Sequence, residues 1–550
     1  MSSNERGNTQ PGAGVSRRKL LELGGLTGGG WLAARVPSGN RDVGGQVVAP
    51  ASADTAGADI YRRLGVRPFI NCRGTYTVLG GNIELPEVRT AKALANAWHA
   101  QLDELAEAAG KRLAELTGAG WAMVSSGCAA AMSHATAACV AGGNPDLHVR
   151  IPNLEGFAKD EVIIPGHSRN VYDAAIRAVG VRIVEAETPA ELERAIGPRT
   201  AMIYVFANDR NESGPMGTEA ICAIANRHQI PVLVDAAAEV LTVPNIHLQR
   251  GATLVAYSGG KFIRGPQSAG LLLGRRDLVQ AAWVHGAPHH GYGRSMKVGR
   301  EEIVGMVVAV ERWVATDHEA VWREWTARVQ HIADRVSTIR GVSAIVRTDQ
   351  GSRSNRSPSV LIRWDSNALG LTGQELVRLL ETTEPRIMIA GGGAAGAQPL
   401  PGDTGVSLVP STMTPGDERL VADRLHQVLS ASHTRAPVVV PVPAAADLSG
   451  HWTVTIQYAA SAATHHITVV QDDGRLSGSH RGNYVTRDLQ GTLSGDRVTF
   501  GSTVTERTGD SLVYRFTGTV AGDTMSGALD LGEYLGATWT ATRRGAPRSA

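Results

Sequence analysis

Lys261 is one of only six lysines in a chain of 550 residues whose basic side chains are otherwise arginines. It stands in YSGGKFIRGPQSAGLLLG, Tyr257 to Gly274, between two apolar runs and among Gly259, Gly260 and Gly265. Glycines let a backbone come close to a ligand, and a lysine set among them can bond covalently to a carbonyl group. A lysine that only touches a phosphate is the alternative. Ser258 lies three residues before it, Asp235 closes the run PVLV, and His167 and Arg169 follow EVIIPG. The stretch WAMVSSGCAAAMSHATAACVAGG, Trp121 to Gly143, reads as a strand, a Ser-Ser-Gly-Cys turn and a helix of small residues. The free amides and positive dipole end at Ser125 to Ala129 make that turn an anion cradle.

Taken together in chain order, the cradle, His167, Asp235 and Lys261 match what pyridoxal 5'-phosphate requires. The cofactor needs a phosphate site, a flat partner for its ring, a carboxylate at the pyridine nitrogen and a lysine for a Schiff base. Asp235 would keep the nitrogen protonated, and Lys261 would have to be neutral to attack a carbonyl. A strand-end aspartate capping a helix and a plain turn histidine are the simpler readings of Asp235 and His167.

The elements that must position these residues have their own signature. EVIIPG, VRIVEAE, AMIYVFAN and PVLVDAAAE are short, continuous apolar runs, as strands buried on both faces of a mostly parallel sheet require. Thr218 to Gln229 between two of them has helical spacing. The rhythm is that of a layered α/β fold, in which ligands sit beyond the carboxyl ends of the strands.

RPFINCRGTYTVLGG, SSGCAAA, HSRNVYDAAIR, VDAAAE, SGGKFIRGPQSAGLL and MKVGREEIVG together resemble the selenocysteine synthase family of fold type I pyridoxal-phosphate enzymes. The likeness is to its D-glucosaminate-6-phosphate ammonia-lyase-like branch, over roughly Ile60 to Leu429. The resemblance implies an aspartate aminotransferase-like α/β fold. It makes Lys261 the Schiff-base lysine, Asp235 the pyridinium partner, His167 the ring-stacking residue, and Ser126, Gly127, Cys128 and Ser258 phosphate ligands. It implies a homodimer or higher oligomer with sites at the subunit interface, where Arg294 and Lys297 are candidate contacts from the neighbour. Arg73 and Arg386 are candidates for a substrate carboxylate or phosphate, because a guanidinium fork suits both.

Net charge of +2 gives no footprint for nucleic acid, so seryl-tRNA chemistry fits poorly. Elimination from a small amino acid or amino sugar acid fits better. Transamination, aldol cleavage, selenium transfer and a non-catalytic exported binding protein are the other readings. Residues 1–53 read as a twin-arginine export leader, with the pair at Arg17 and Arg18 and small residues for cleavage at Ala49 to Ala53. Export to the periplasm or beyond follows if the leader is used, and a cytoplasmic enzyme if it is not.

Domain organisation is expected as residues 54–435 for the cofactor domain, with a large part at about 100–310 and a small part at about 311–435. A Pro/Val/Ala linker at 436–447 leads to an all-β domain at 448–547. There, roughly eight alternating strands with turns at DDG, SGD, TGD and AGD suit a barrel or small sandwich. A folding or interaction module without a ligand is its simpler reading. Cys72, Cys128, Cys139 and Cys222 lack metal or disulfide spacing. The pairs His465–His466 and His289–His290 could suggest a metal, but the first is a poor chelate because neighbours on a strand face opposite sides, and no metal is expected. No run reaches the length of a membrane span.

Overall fold

A computed structural model describes residues 60–349, 351–392, 402–433, 442–505 and 511–544. Arg17, Arg18, Ala49 to Ala53, the boundaries at 53 and 435, and 436–441 of the expected linker lie outside the described residues. The chain divides into residues 1–66, with a helical turn described at 60–63, and a unit from Arg67 onward that holds every other described element.

The expected strands assemble into one seven-stranded sheet. In chain order they are β1 Trp121–Ser125, β2 Glu161–Pro165, β3 Arg182–Ala186, β4 Thr200–Phe206, β5 Val232–Asp235, β6 Leu254–Ser258 and β7 Gly270–Gly274. Their spatial order is β1-β7-β6-β5-β4-β2-β3, with β7 antiparallel to both neighbours and the other pairs parallel. The inner runs are continuously apolar because both faces are covered, whereas the edge strand β3, expected to be buried on both faces, is mostly half-buried and carries Arg182 and Glu185. Ile163, Ile203, Val205, Val232 and Val234 belong to one core. Val162, Ile164, Met202, Tyr204 and Leu233 belong to the other.

Helix α1, Gly127–Ala141, explains its own composition. All but two of its residues are buried, and a helix enclosed on every side carries no polar stripe. Its alanines let it lie close against the sheet. Helix α2, Thr218–Arg227, is amphipathic and buries Ile221, Cys222, Ile224 and Ala225 against the opposite core.

A four-stranded antiparallel sheet follows, in the order Ala390–Gly392, Asp403–Leu408, Ser359–Asp365 and Val342–Arg347. It is half-covered, so Ser359–Asp365 alternates buried and partly exposed positions. Helices His318–Val336 and Asp417–Ser430 supply its core partners. The two-residue strand Ile70–Asn71 pairs in parallel with Ile387–Met388.

The C-terminal strands close into an eight-stranded antiparallel barrel, which resolves the choice between barrel and sandwich. They are β8 Gly450–Gln457, β9 Ala462–Asp472, β10 Arg475–Arg481, β11 Thr486–Ser494, β12 Arg497–Thr505, β13 Ser511–Ala521, β14 Thr524–Asp530 and β15 Gly536–Arg543. The DDG, SGD and AGD turns join β9 to β10, β11 to β12 and β13 to β14. TGD lies outside the described residues. Trp452, Phe500, Phe516 and Trp539 fill the interior.

Candidate active site

The predicted residues gather at the carboxyl ends of β1, β5 and β6 through strand register. Gly270 on β7 pairs with Ser125 on one side and with Ser258 on the other. Asp235 pairs with Phe206 and with Ala256. The α1 N-terminus and Ser258 therefore flank one short strand, and Asp235 lies one strand further on.

Gly127 has φ of +85°, a left-handed conformation that turns the chain from β1 into α1 and favours glycine. The start of the helix is seated tightly, since a Cβ at Gly270 would lie 2.3 Å from the Gly127 carbonyl carbon. Ser126 occupies the N-cap position without a side-chain cap bond, leaving its hydroxyl available. First-turn amides of a helix have no intrahelical acceptor, so Gly127, Cys128 and Ala129 present donors and a positive dipole end to an anion.

Asp235 is 1% exposed. Its Oδ1 accepts from the Ala237 amide at 3.0 Å and from Cys128 Sγ at 3.7 Å, and its Oδ2 accepts from the Tyr204 hydroxyl at 3.0 Å. Burial pushes its pKa up, while these donors and the nearby Lys261 charge pull it back. A buried carboxylate of this kind lacks one strong cationic partner. The ordinary purpose of such a site is to receive one, and a protonated pyridine nitrogen has that charge. Burial and the Asp235 charge raise the Cys128 pKa well above the usual thiol value, so Cys128 is a neutral neighbour.

Lys261 begins a short loop after Ser258 and is half-buried. Its carbonyl accepts from the Arg264 amide, and among the described residues no side chain pairs with its Nζ. The flanking glycines serve a purpose different from the expected one. A Cβ at Gly259 would lie 2.8 Å from the Ala269 carbonyl oxygen and 2.9 Å from Met306 Sδ, and one at Gly260 would lie 2.6 Å from Gln267 Cα. They let the loop fold back on itself and on helix Arg300–Ala315, which fixes where the lysine starts.

His167 sits in a turn directly after β2, and its Nε2 is hydrogen-bonded to Asn211 Oδ1. Asn211 is buried and donates to Ser168 Oγ at 3.2 Å and to the Phe206 carbonyl. Because Phe206 is the register partner of Asp235, the histidine is tied to the strand end beside the carboxylate. A second tie runs from Asn170 Nδ2 to the Tyr204 hydroxyl at 3.0 Å, and from there to Asp235. Tyr204, Asn170 and Asn211 are site residues that sequence reasoning misses. Arg169 forms a half-buried ion pair with Asp173 and Glu185 and is structural.

The remaining predicted residues divide. Arg386 uses Nε and one terminal nitrogen on the carbonyls of Glu381 and Arg67 and lies over the Phe69 ring. Arg73 is exposed, with its guanidinium 5.4 Å from the Tyr76 ring centre. Arg294 and Lys297 are exposed on the segment before helix Arg300–Ala315, and no hydrogen bond joins them to Lys261, Asp235 or His167. Cys72, Cys128, Cys139 and Cys222 are free thiols, all buried.

Lys261, Asp235 and the α1 cradle thus fit a flat, phosphorylated, cationic ring. The class-V aminotransferase family matches residues 166–402. D-Glucosaminate-6-phosphate ammonia lyase from Salmonella typhimurium is 30% identical over 382 residues, which are 67% of this chain and 98% of that protein. 5'-C-glycyluridine monooxygenase-decarboxylase from a Streptomyces species is 32% identical over 394 residues, covering 68% and 93%. A solved structure of D-glucosaminate-6-phosphate ammonia-lyase superposes with a TM-score of 0.59 at 29% identity, over 68% of this chain and 98% of that one. The protein is a pyridoxal-phosphate enzyme, and it belongs to the D-glucosaminate-6-phosphate ammonia-lyase-like family of fold type I.

Proposed function

We propose that this enzyme catalyses an elimination on a small amino acid or amino sugar acid, releasing ammonia, with Lys261 as the residue that holds the cofactor. The observation that carries this reading is the buried Asp235, with its donors, set beside an unpartnered lysine and a helix N-terminus. Pyridoxal phosphate, when bound, draws electrons from the substrate carbon next to nitrogen so that a proton can leave. The chain's residues do the rest. Ser126, Ser258 and the amides of Gly127 and Cys128 would hold the cofactor's phosphate, Asp235 would hold the ring nitrogen's proton, and His167, oriented by Asn211, would supply the flat partner for the ring. Lys261 Nζ takes and returns the proton at the reacting carbon.

Arg73 keeps its guanidinium clear of hydrogen bonds among the described residues, whereas Arg386 does not, so Arg73 is assigned to the substrate's acidic group. Arg294 and Lys297 are assigned to a neighbouring subunit's site in a homodimer. Residues 54–435 form the catalytic domain and 448–547 an appended barrel. The leader with Arg17 and Arg18 exports the folded, loaded enzyme; a reporter fused to residues 1–53 should leave the cytoplasm and be retained when both arginines become lysine.

The test is product analysis on the cofactor-loaded chain, with D-glucosaminate 6-phosphate, its unphosphorylated form and a panel of amino acids. Ammonia release that depends on Lys261 supports the proposal. The similarity to a monooxygenase-decarboxylase favours a second reading, decarboxylation, and carbon dioxide without ammonia would establish it. Amino transfer to a keto acid would mark an aminotransferase instead.

A further inference from the structure

The barrel holds a buried charge that no described residue neutralises. Arg487 on β11 is 7% exposed, and its Nε and Nη1 are buried without a hydrogen-bond partner. Its guanidinium carbon lies 4.9 Å from the Tyr514 ring centre, a cation–π contact that orients it without satisfying its N–H groups. Every described aspartate and glutamate of the barrel is exposed, so none of these carboxylates meets the guanidinium inside it. An unpaired buried ion is costly to a fold. A fold carries that cost where a partner of opposite charge arrives from outside.

The residues around Arg487 are built to receive one. His480 is its direct cross-strand partner, and Ser502 pairs with Tyr514. His480 Nδ1 is 2.6 Å from Ser502 Oγ, and His480 Nε2 is 2.8 Å from His465 Nδ1, so the three form one buried hydrogen-bonded chain. Burial, reinforced by His465 and Arg487, pushes the His480 pKa down to about 3, and burial with Arg487 lowers that of His465. Both rings are therefore neutral at pH 7, and Arg487 carries the only charge in the cluster. Burial, then the neighbouring Tyr514, raise the Tyr458 hydroxyl pKa, which keeps it a donor. One positive charge calls for one negative charge, and aromatic walls suit an organic body better than a doubly charged, strongly hydrated ion.

We infer that this end of the barrel is a binding site for a small monocarboxylate, held by Arg487 among Tyr514, His465, His480 and Ser502. The site is separate from the cofactor chemistry. It also departs from the sequence reading, in which a ligand-free module is the simpler account.

Hydrogen exchange followed by mass spectrometry on the cofactor-loaded full chain tests this. Acetate, butyrate and sulfate are compared with chloride at matched ionic strength. Acetate or butyrate should slow exchange at least threefold in the β10 to β11 segment around His480 and Arg487. Sulfate should have a smaller effect. The slowing should persist in Lys261→Ala, which separates it from anion binding at the cofactor site. It should vanish in Arg487→Met, with the cofactor's absorption band unchanged. Carboxylate-dependent slowing that is absent from the barrel, undiminished in Arg487→Met, or larger with sulfate would overturn the inference.

Discussion

Replacing Asp235 by asparagine removes one charge from a group that accepts hydrogen bonds from Ala237, Tyr204 and Cys128 while leaving the size of the side chain almost unchanged. The amide oxygen can still accept from the Ala237 amide, so local backbone geometry is kept. On the proposed assignment, what is lost is the anion that would face the cofactor's protonated nitrogen. A hydrogen bond to a charged group contributes about 1.5–3 kcal/mol, which corresponds to cofactor binding weaker by about 10- to 150-fold. The cofactor-free chain should respond in the opposite sense. Burial raises the folded-state pKa of Asp235, so its contribution to stability is present below the ordinary carboxylate pKa and is lost as pH rises through the folded value. An asparagine side chain does not titrate, so that fall in stability should be absent from Asp235→Asn. Spectrophotometric titration of both apoproteins with pyridoxal phosphate, and thermal unfolding from about pH 4 to 8, give the two readouts. An Asp235→Asn chain that binds cofactor as tightly as the parent would refute the assignment and leave Asp235 as an anchor for Tyr204 and the strand end.

Three further outcomes are expected. Asn211→Ala removes the acceptor that holds His167 and leaves the Ser168 hydroxyl oxygen and the Phe206 carbonyl without the amide they accept from; it should cost about 1–3 kcal/mol in thermal unfolding, and Asn211→Asp, which keeps the acceptor for His167, should restore the cofactor spectrum. Gly259→Ala places a methyl 2.8 Å from a backbone oxygen, so overpacking of about 1–3 kcal/mol and a weaker cofactor band are expected. Trp452→Ala empties a fully buried barrel position, and should destabilise the barrel by about 3–5 kcal/mol while the cofactor band stays unchanged.

Much of the sheet is legible in the sequence because its strands are buried on both faces, and continuous apolar runs such as those in EVIIP and AMIYVF have few other uses. Val162, Ile163 and Ile164 are marked as strand by the run itself. The order of cradle, histidine, aspartate and lysine is legible for a chemical reason, since each must follow a strand. Tyr204 is not, because inside an apolar run a tyrosine reads as core, and only strand register brings its hydroxyl to Asp235. Asn211 looks like a turn residue from sequence, yet its bonds run to His167, 44 positions away, and to the end of a strand. The loop glycines read as room for a ligand, whereas close contacts to Ala269, Met306 and Gln267 show that they make room for the protein itself. Arg487 alternates with apolar and polar neighbours on its strand, and its isolation emerges only when the barrel closes.

The central claim is that Lys261 holds the cofactor, and it is tested most directly by reducing the loaded enzyme with borohydride and mapping the peptides. The account predicts a visible absorption band that reduction abolishes, a pyridoxyl adduct on Lys261, and neither in Lys261→Ala. An adduct on another lysine, or a colourless chain that stays colourless when pyridoxal phosphate is added, would contradict it.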